Sequence, residues 1–343
     1  MATPSPTAPS AQPLPPEFQR ALRELGLAGD EALSGAPLTG GVSSDIWRVD
    51  TARGPLCVKR ALPQLRVAAD WRAPIGRNVF EARWMQVADA AVPGSAPRLL
   101  GQHAGFSVLA MSYLEPAQHP LWKQQLRDGI VRSETARAVG DVLGRIHAHA
   151  AARPQLAAQF DSAAIFFDIR LEPYLLATAA RHADLAPALR ALVAQTQANA
   201  HTLVHGDVSP KNILVGPHGP VLLDAECACW GDPAFDLAFV LNHLLLKCLW
   251  VPTTRDALLA GFDALRDAYF ARVDWEPATA LEQRAAALLP ALLLARVDGK
   301  SPVEYITTDD ARDRVRRCAG EWLRERASRL GDVRQSWREE LRR

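Results

Sequence analysis

Net charge is almost absent from this chain: 39 Lys and Arg stand against 38 Asp and Glu, a formal +1 over 343 residues. That balance removes any global electrostatic argument for nucleic acid or a membrane surface as a partner. Long apolar runs are also missing. The best candidate, Ala285 to Ala295, falls short of the roughly 18 residues a spanning helix needs and contains Pro290, so it reads as a core helix. No basic segment followed by an apolar stretch opens the sequence, which gives no expectation of a secretory leader, and arginine is too scarce there for a transit peptide. The five cysteines, Cys57, Cys227, Cys229, Cys248 and Cys318, form no C-x-x-C or zinc-ribbon spacing. Reduced, mostly buried thiols in a cytoplasmic protein are the expectation. No internal repeat is visible.

What is present is enough apolar sequence, 48%, for one large or two modest domains with a sizeable core. Met1 to Pro16 carries no charge and is rich in Pro, Ala, Ser and Thr, so residues 1–16 are expected to be a disordered tail. An amphipathic helix is predicted over Glu17–Leu27. A turn-rich loop, Thr39 to Ser44, then leads into strand-like Asp45–Val49, a turn at Arg53-Gly54-Pro55, and a second strand, Leu56–Arg60. Asn78–Ala90 has helical periodicity with Asn78 placed as an N-cap, and Ser107–Tyr113 reads as a further strand. Beyond Pro116 the pattern is mainly helical, broken by a strand-like interlude from His201 to Asp224. From Asp309 arginines and acids alternate at helical spacing, which predicts an exposed helix laced with ion pairs in preference to a nucleic-acid patch.

The chemistry concentrates in His205-Gly206-Asp207-Val208-Ser209-Pro210-Lys211-Asn212, an H-G-D-x-x-x-x-N spacing followed by an apolar strand. Gly216-Pro217-His218-Gly219-Pro220 is a hairpin turn, and Asp224-Ala225-Glu226 follows the return strand. Two short antiparallel strands therefore bring Asn212 beside Asp224. Phosphoryl transfer from ATP asks for little more than this. A carboxylate, Asp207, orients the attacking hydroxyl and accepts its proton, and oxygen ligands, Asn212 and Asp224, hold Mg2+ on the phosphates.

The segment resembles the catalytic loop of the aminoglycoside phosphotransferase and choline kinase superfamily, which shares the protein-kinase fold. Gly231-Asp232-Pro233-Ala234-Phe235-Asp236-Leu237-Ala238 is similar to that family's G-D-P-x-x-D-L-A signature. The resemblance implies an α+β, bilobal fold: an N-terminal nucleotide-binding lobe over 17–114, built on a small antiparallel sheet, and a helical catalytic and substrate lobe over 115–343. It implies Lys59 on the nucleotide phosphates, paired with Glu81 on the next helix. Arg60, the rival lysine-like position, faces the other side of the strand. Gly40, Gly41, Ser43 and Ser44 lie where a phosphate-covering loop belongs, and Met111 to Tyr113 where the adenine hinge belongs. His205 and Asp236 brace the catalytic loop. Asp232 is a turn residue or part of the site, and Glu226 is a third metal ligand or a supporting group.

The chain leaves little room between Asp224 and Asp236 for an activation segment and has no A-P-E, so the expected acceptor is a small molecule bearing a hydroxyl. Candidate acceptor contacts are Arg170 and Glu172, and Arg296, Asp298 and Lys300. The second group reads equally as an ordinary helix C-terminus closed by Gly299. Their mixed charge, with arginine and lysine prominent, favours a neutral or anionic acceptor over a polycation. The acceptor's identity, ATP versus GTP and the oligomeric state stay open, and a non-catalytic nucleotide-binding module on the same fold is the alternative reading.

Overall fold

The computed structural model describes residues 12–38, 44–62 and 74–343. A six-stranded sheet forms the N-terminal lobe from β1 (Gln12–Pro13), β2 (Ser34–Pro37), β3 (Ser44–Thr51), β4 (Gly54–Ala61), β5 (Leu99–His103) and β6 (Val108–Ser112), in the order β1-β2-β3-β4-β6-β5. Two helices flank it, α1 (Pro16–Glu24) and α2 (Arg77–Ala91). The period of two along each strand decides what each face meets. Leu56 and Val58 of β4 and Val108 and Ala110 of β6 pack in a small core with Phe18 and Leu22 of α1. Their neighbours Leu109 and Met111 turn to the opposite face, where Trp84 and Met85 of α2 join the main core. Lys59 therefore faces α2 and the interlobe cleft. Arg60 faces α1, pairing with Asp45 and Glu17 and lying over the Phe18 ring.

Two expectations for this lobe need correction. The tail does not extend through Pro16: Gln12 and Pro13 pair with Gly35 and Ser34, and Leu14 is buried against the α1 core. An apolar side chain that completes a small core orders the few residues around it. Residues 1–11 lie outside the described residues. Asn78 is not an N-cap either. The helix begins one residue earlier, and the Asn78 side-chain amide donates to the Ser107 carbonyl at 2.6 Å, tying α2 to the β5–β6 turn.

After the short α3 (Trp122–Arg127), the second lobe is built on α4 (Ser133–Ala151). Next, α5 (Ala163–Phe166) runs through a π-helical stretch, Phe167–Leu176, into α6 (Ala177–Arg181), and α7 (Ala186–Ala198) follows. Two small two-stranded sheets come next, from β7 (Thr202–Val204), β8 (Ile213–Gly216), β9 (Gly219–Leu222) and β10 (Cys229–Gly231). The chain ends in α8 (Pro233–Trp250), α9 (Arg255–Phe270), α10 (Ala278–Asp298), α11 (Asp309–Glu325) and α12 (Leu330–Glu340). Helix α4 lies close against α9 because Gly140 faces its backbone: a Cβ there would sit 2.1 Å from the Leu265 carbonyl oxygen.

Contrary to the expectation from apolar runs, α8 and α10 are each long and apolar enough to cross a membrane by length and composition. Both are core helices of the lobe, with 89% of the α8 window and 67% of the α10 window buried inside the protein. Pro290 sits inside α10 without ending it. Helix α11 carries the expected ion pairs, Arg312 with Asp309 and Arg316 with Asp313, and reaches neighbouring elements through Arg316 to Asp298 and Arg317 to Glu340. The four cysteines Cys227, Cys229, Cys248 and Cys318 are buried free thiols, and Cys57 is half-buried.

Candidate active site

Helix α2 works as a clamp from above. Glu81 accepts from the Lys59 ammonium at 2.8 Å, and the same ammonium meets Asp224. One turn earlier Arg77 donates to Glu226 at 2.9 Å, and it also holds the carbonyls of Leu62 and Pro74. The i, i+4 spacing of Arg77 and Glu81 thus sets Arg77 directly on Glu226 and Glu81 on Lys59, which in turn meets Asp224. Burial works against the Lys59 charge, but Asp224 and Glu81 outweigh it and hold its pKa above the ordinary lysine value. Asp224 is also buried, yet Lys59 and Lys211 draw it below the usual carboxylate range. Its backbone is left-handed, at φ 66°, a conformation that side-chain-bearing residues adopt at a cost.

The H-G-D-x-x-x-x-N loop follows β7. Ile213 pairs with Leu222 across the β8–β9 hairpin, and Leu223 N donates to the Asn212 carbonyl, which sets Asn212 beside Asp224. Gly206 has φ 80°, and a Cβ there would fall 2.8 Å from Cys227 Cβ, so glycine is the residue this turn accepts. The fully buried Asp236 carboxylate receives the backbone N–H groups of His205 and Gly206 at 2.6 and 2.8 Å. Capping of α8 falls to Asp232, which accepts from Ala234 N and pairs with Arg284. His205 takes the Asp207 N–H on Nδ1, which leaves its proton on Nε2 to donate to the Leu223 carbonyl at 3.0 Å. Burial holds this imidazole below its ordinary pKa, as a neutral brace.

The two oxygens of Asp207 differ sharply. Oδ2 receives Arg170 at 2.9 Å, the Asn212 side-chain amide at 2.8 Å and Lys211 at 3.2 Å. Oδ1 is buried and has no partner among the described residues. Burial opposes ionisation here, but the charges of Arg170 and Lys211 keep the carboxyl below its usual range. Because Asn212 spends its amide nitrogen on Asp207, its side-chain oxygen stays available as a ligand for a hard cation.

Between the lobes lies a cavity of about 390 Å³, with Ile46, Cys57, Met111 and Leu222 among its apolar lining and Lys59, Lys211, Asn212 and Asp224 among its polar lining. Tyr113 is not in that lining; its ring lies against the Arg48 guanidinium. Glu226 is turned to Arg77 and does not line the cavity. Ser44 opens β3, buried, with its hydroxyl unpartnered among the described residues, while Gly40, Gly41 and Ser43 lie outside the described residues.

The residues read as acceptor contacts separate. Arg170 sits on Asp207 itself, with Nε on the Gly206 carbonyl at 2.5 Å. Glu172 and Lys300 form an ion pair on the surface at 2.7 Å. Asp298 is held by His182 and Arg316. Arg296 donates to the Tyr174 hydroxyl at 3.0 Å and to the Ser301 carbonyl. Sequence reasoning missed Arg77 and Lys211. The available signal for each was a four-residue spacing, Arg77 before Glu81 and Lys211 after Asp207.

The architecture recurs in solved structures. An amicoumacin kinase in complex with AMP-PNP, Ca2+ and Ami superposes with a TM-score of 0.59 at 12% identity, over 92% of this chain and 96% of that one. An ethanolamine kinase of Plasmodium vivax gives 0.52 at 12%, over 86% and 84%. These likenesses establish the bilobal kinase-like fold. In sequence, a methylthioribose kinase of Klebsiella pneumoniae (strain 342) is 26% identical over 242 residues, 61% of this chain and 59% of that protein. The match thus spans about three fifths of the relative's length. Residues 34–278, which hold the cleft and the whole H-G-D-x-x-x-x-N loop, match the model of the phosphotransferase enzyme family, and the chain belongs to that family.

Proposed function

We propose that this protein is a small-molecule kinase that transfers the γ-phosphoryl group of ATP to a hydroxyl. The observation that carries the reading is the asymmetry of Asp207. One oxygen is fixed by Arg170, Lys211 and Asn212, and the other is buried and, among the described residues, unpartnered beside the cleft residues Lys211 and Asn212. A buried acceptor atom without a donor is costly unless a ligand supplies one. An acceptor hydroxyl supplies it. The depressed pKa of Asp207 suits a group that aligns the hydroxyl and takes its proton late, as a loose phosphoryl-transfer transition state requires.

In this reading Lys59, aimed by Glu81, steadies the nucleotide phosphates. Lys211, beside both the base and the cleft, faces the charge that develops on the phosphoryl oxygens. The donor set fits a hard divalent cation such as Mg2+, held by the Asn212 oxygen and the Asp224 carboxylate, which would neutralise phosphate charge when bound. Glu226 supports that pair through Arg77. The AMP-PNP and Ca2+ of the solved amicoumacin kinase, and the sugar kinases among the relatives, support nucleotide, divalent cation and a hydroxylated acceptor here. The alternative, a non-catalytic nucleotide-binding module, gives no reason for an unpartnered Asp207 oxygen.

The test is Mg2+-dependent ATP consumption against a panel of hydroxylated small molecules, with Asp207→Asn as control. Turnover with one acceptor class should fall at least about a hundredfold in the variant, with AMP-PNP binding retained. Equal turnover in both proteins would remove Asp207 from the chemistry. AMP-PNP binding with silence across the panel would favour the non-catalytic module.

A further inference from the structure

Helix α8 turns one face, Phe239, His243, Lys247 and Trp250, toward α10 and the segment that follows it. The Lys247 ammonium lies 4.5 Å from the Trp250 ring and 4.4 Å from the Tyr305 ring. The residue is 1% exposed and has no hydrogen bond or ion pair among the described residues. His243 is also buried, with Nδ1 on the Tyr305 hydroxyl at 3.4 Å and Nε2 unpartnered among the described residues. Arg296 completes the group from α10. Its side chain meets a tyrosine hydroxyl and Ser301 but no carboxylate, and its Nε is likewise buried and unpartnered among the described residues.

This cluster connects directly to the base. The Arg170 guanidinium that holds Asp207 lies over the rings of Tyr174 and Phe239, at 5.8 and 6.0 Å, and Arg296 lies over Tyr174 at 5.4 Å. Phe239 in turn contacts the His243 ring at 5.4 Å. Lys123, which lines the nucleotide cleft, pairs with Glu304 beside Tyr305 and so satisfies the nearest acid. Space for a ligand lies beside the cluster and not within it: Trp250, Glu304 and Tyr305 help line a cavity of about 540 Å³, and Arg296 lines a neighbouring one of about 550 Å³ that shares Glu304 with it.

Buried cations without counter-ions are strongly disfavoured, and unpartnered N–H groups add to that cost. Resting on the kinase reading, we propose that Lys247, His243 and Arg296 form an anion subsite, so that the acceptor carries a carboxylate or phosphate group in addition to its hydroxyl. Such a group receives donors from all three side chains while the hydroxyl meets Asp207. The same cations repel an acceptor that carries an ammonium group.

Two arms test this on the full chain. In the first, inorganic sulfate is titrated calorimetrically into protein saturated with AMP-PNP and Mg2+, which fills the nucleotide phosphate positions. Sulfate should bind, and Lys247→Met should weaken it about tenfold or more. In the second, matched acceptors are compared: a sugar, its sugar acid and its sugar phosphate. An anionic member should be favoured at least about tenfold in kcat/KM, with the preference kept in Lys247→Arg and lost in Lys247→Met. Circular dichroism and AMP-PNP affinity check that the variants fold, and His243→Phe replaces Lys247→Met if that variant does not. Sulfate affinity independent of these residues, or preference for the neutral sugar, overturns the subsite. The sulfate arm needs no turnover, so a dead kinase assay with sulfate binding intact would fail the kinase reading alone.

Discussion

Arg170 binds the Asp207 carboxylate and the carbonyl of the preceding residue, Gly206, with one guanidinium, at 2.9 and 2.5 Å. The backbone and the side chain of the Gly206-Asp207 turn are thereby fixed to the same planar group. Arginine supplies this fork from a buried position, and lysine cannot, because one ammonium presents no two parallel donors. The π-helical stretch that carries Arg170 therefore orients Asp207, and in the proposed mechanism it would aim Oδ1 at the acceptor.

Loss of that aim should appear in kcat and not in nucleotide binding. Arg170→Met is expected to lower kcat about a hundredfold while the KM for ATP changes little, since misplacement of a reacting group acts on the chemical step. Arg170→Lys should recover only part of the loss. Steady-state kinetics of both variants check this; a rise in KM for ATP equal to the fall in kcat/KM would make Arg170 a packing residue.

A second dependence runs through α2. Arg77 and Glu226 are a buried pair, with the Arg77 side chain fully enclosed. Breaking such a pair from one side costs about 3–5 kcal/mol, and removing both partners costs less than the sum. Arg77→Met and Glu226→Gln should each destabilise the protein on that scale, with strong non-additivity in the double variant. The Mg2+ concentration giving half-maximal turnover should stay within about threefold in Glu226→Gln, as for a group outside the coordination of the cation. Denaturant melts and Mg2+ titrations measure both. A large rise in the Mg2+ requirement would place Glu226 on the metal instead.

Where local rules govern, the sequence was readable. Strand period alone sets Lys59 and Arg60 on opposite faces, and a short hairpin turn suffices to bring Asn212 to Asp224. The contact of Arg170 with Asp207 was not legible, because it joins segments 37 positions apart through a π-helical stretch interrupted by Pro173, and no short-range pattern encodes that. Arg77 was hidden behind Asn78, whose residue type suggested a cap and whose amide is used for a tertiary bond. The membrane-length helices escaped notice because α8 spreads Asn242, His243 and Lys247 through an otherwise apolar segment. Two of those interruptions, His243 and Lys247, belong to the proposed anion subsite.

Lys247 gives that subsite a pH signature. Burial, then the charge of Lys123 from α3 and of Arg296 from α10, lower its pKa to about 7, against the opposing pull of Glu304. His243 on the same helix face is itself held well below its ordinary value, by burial, Arg296, Lys247, Lys211 and Lys123, and stays neutral. Tyr305, pushed up by burial, stays protonated. Lys247 is therefore the group that titrates near neutrality. Its folded pKa lies below the unfolded one, so the free protein gains stability as pH rises from about 7 toward the ordinary lysine value of 10.5 and loses it as pH falls through about 7. Lys247→Met removes that penalty and should stabilise the unliganded protein at pH 7 by at least about 1 kcal/mol. Anion binding has the opposite slope. It requires the charged ammonium, so sulfate affinity should be full below pH 7 and fall by up to about tenfold per unit above it, with one proton taken up on binding. Calorimetry in buffers of different ionisation enthalpy counts that proton directly. A pH-independent sulfate affinity, or proton uptake that persists in Lys247→Met, would assign the anion to another group.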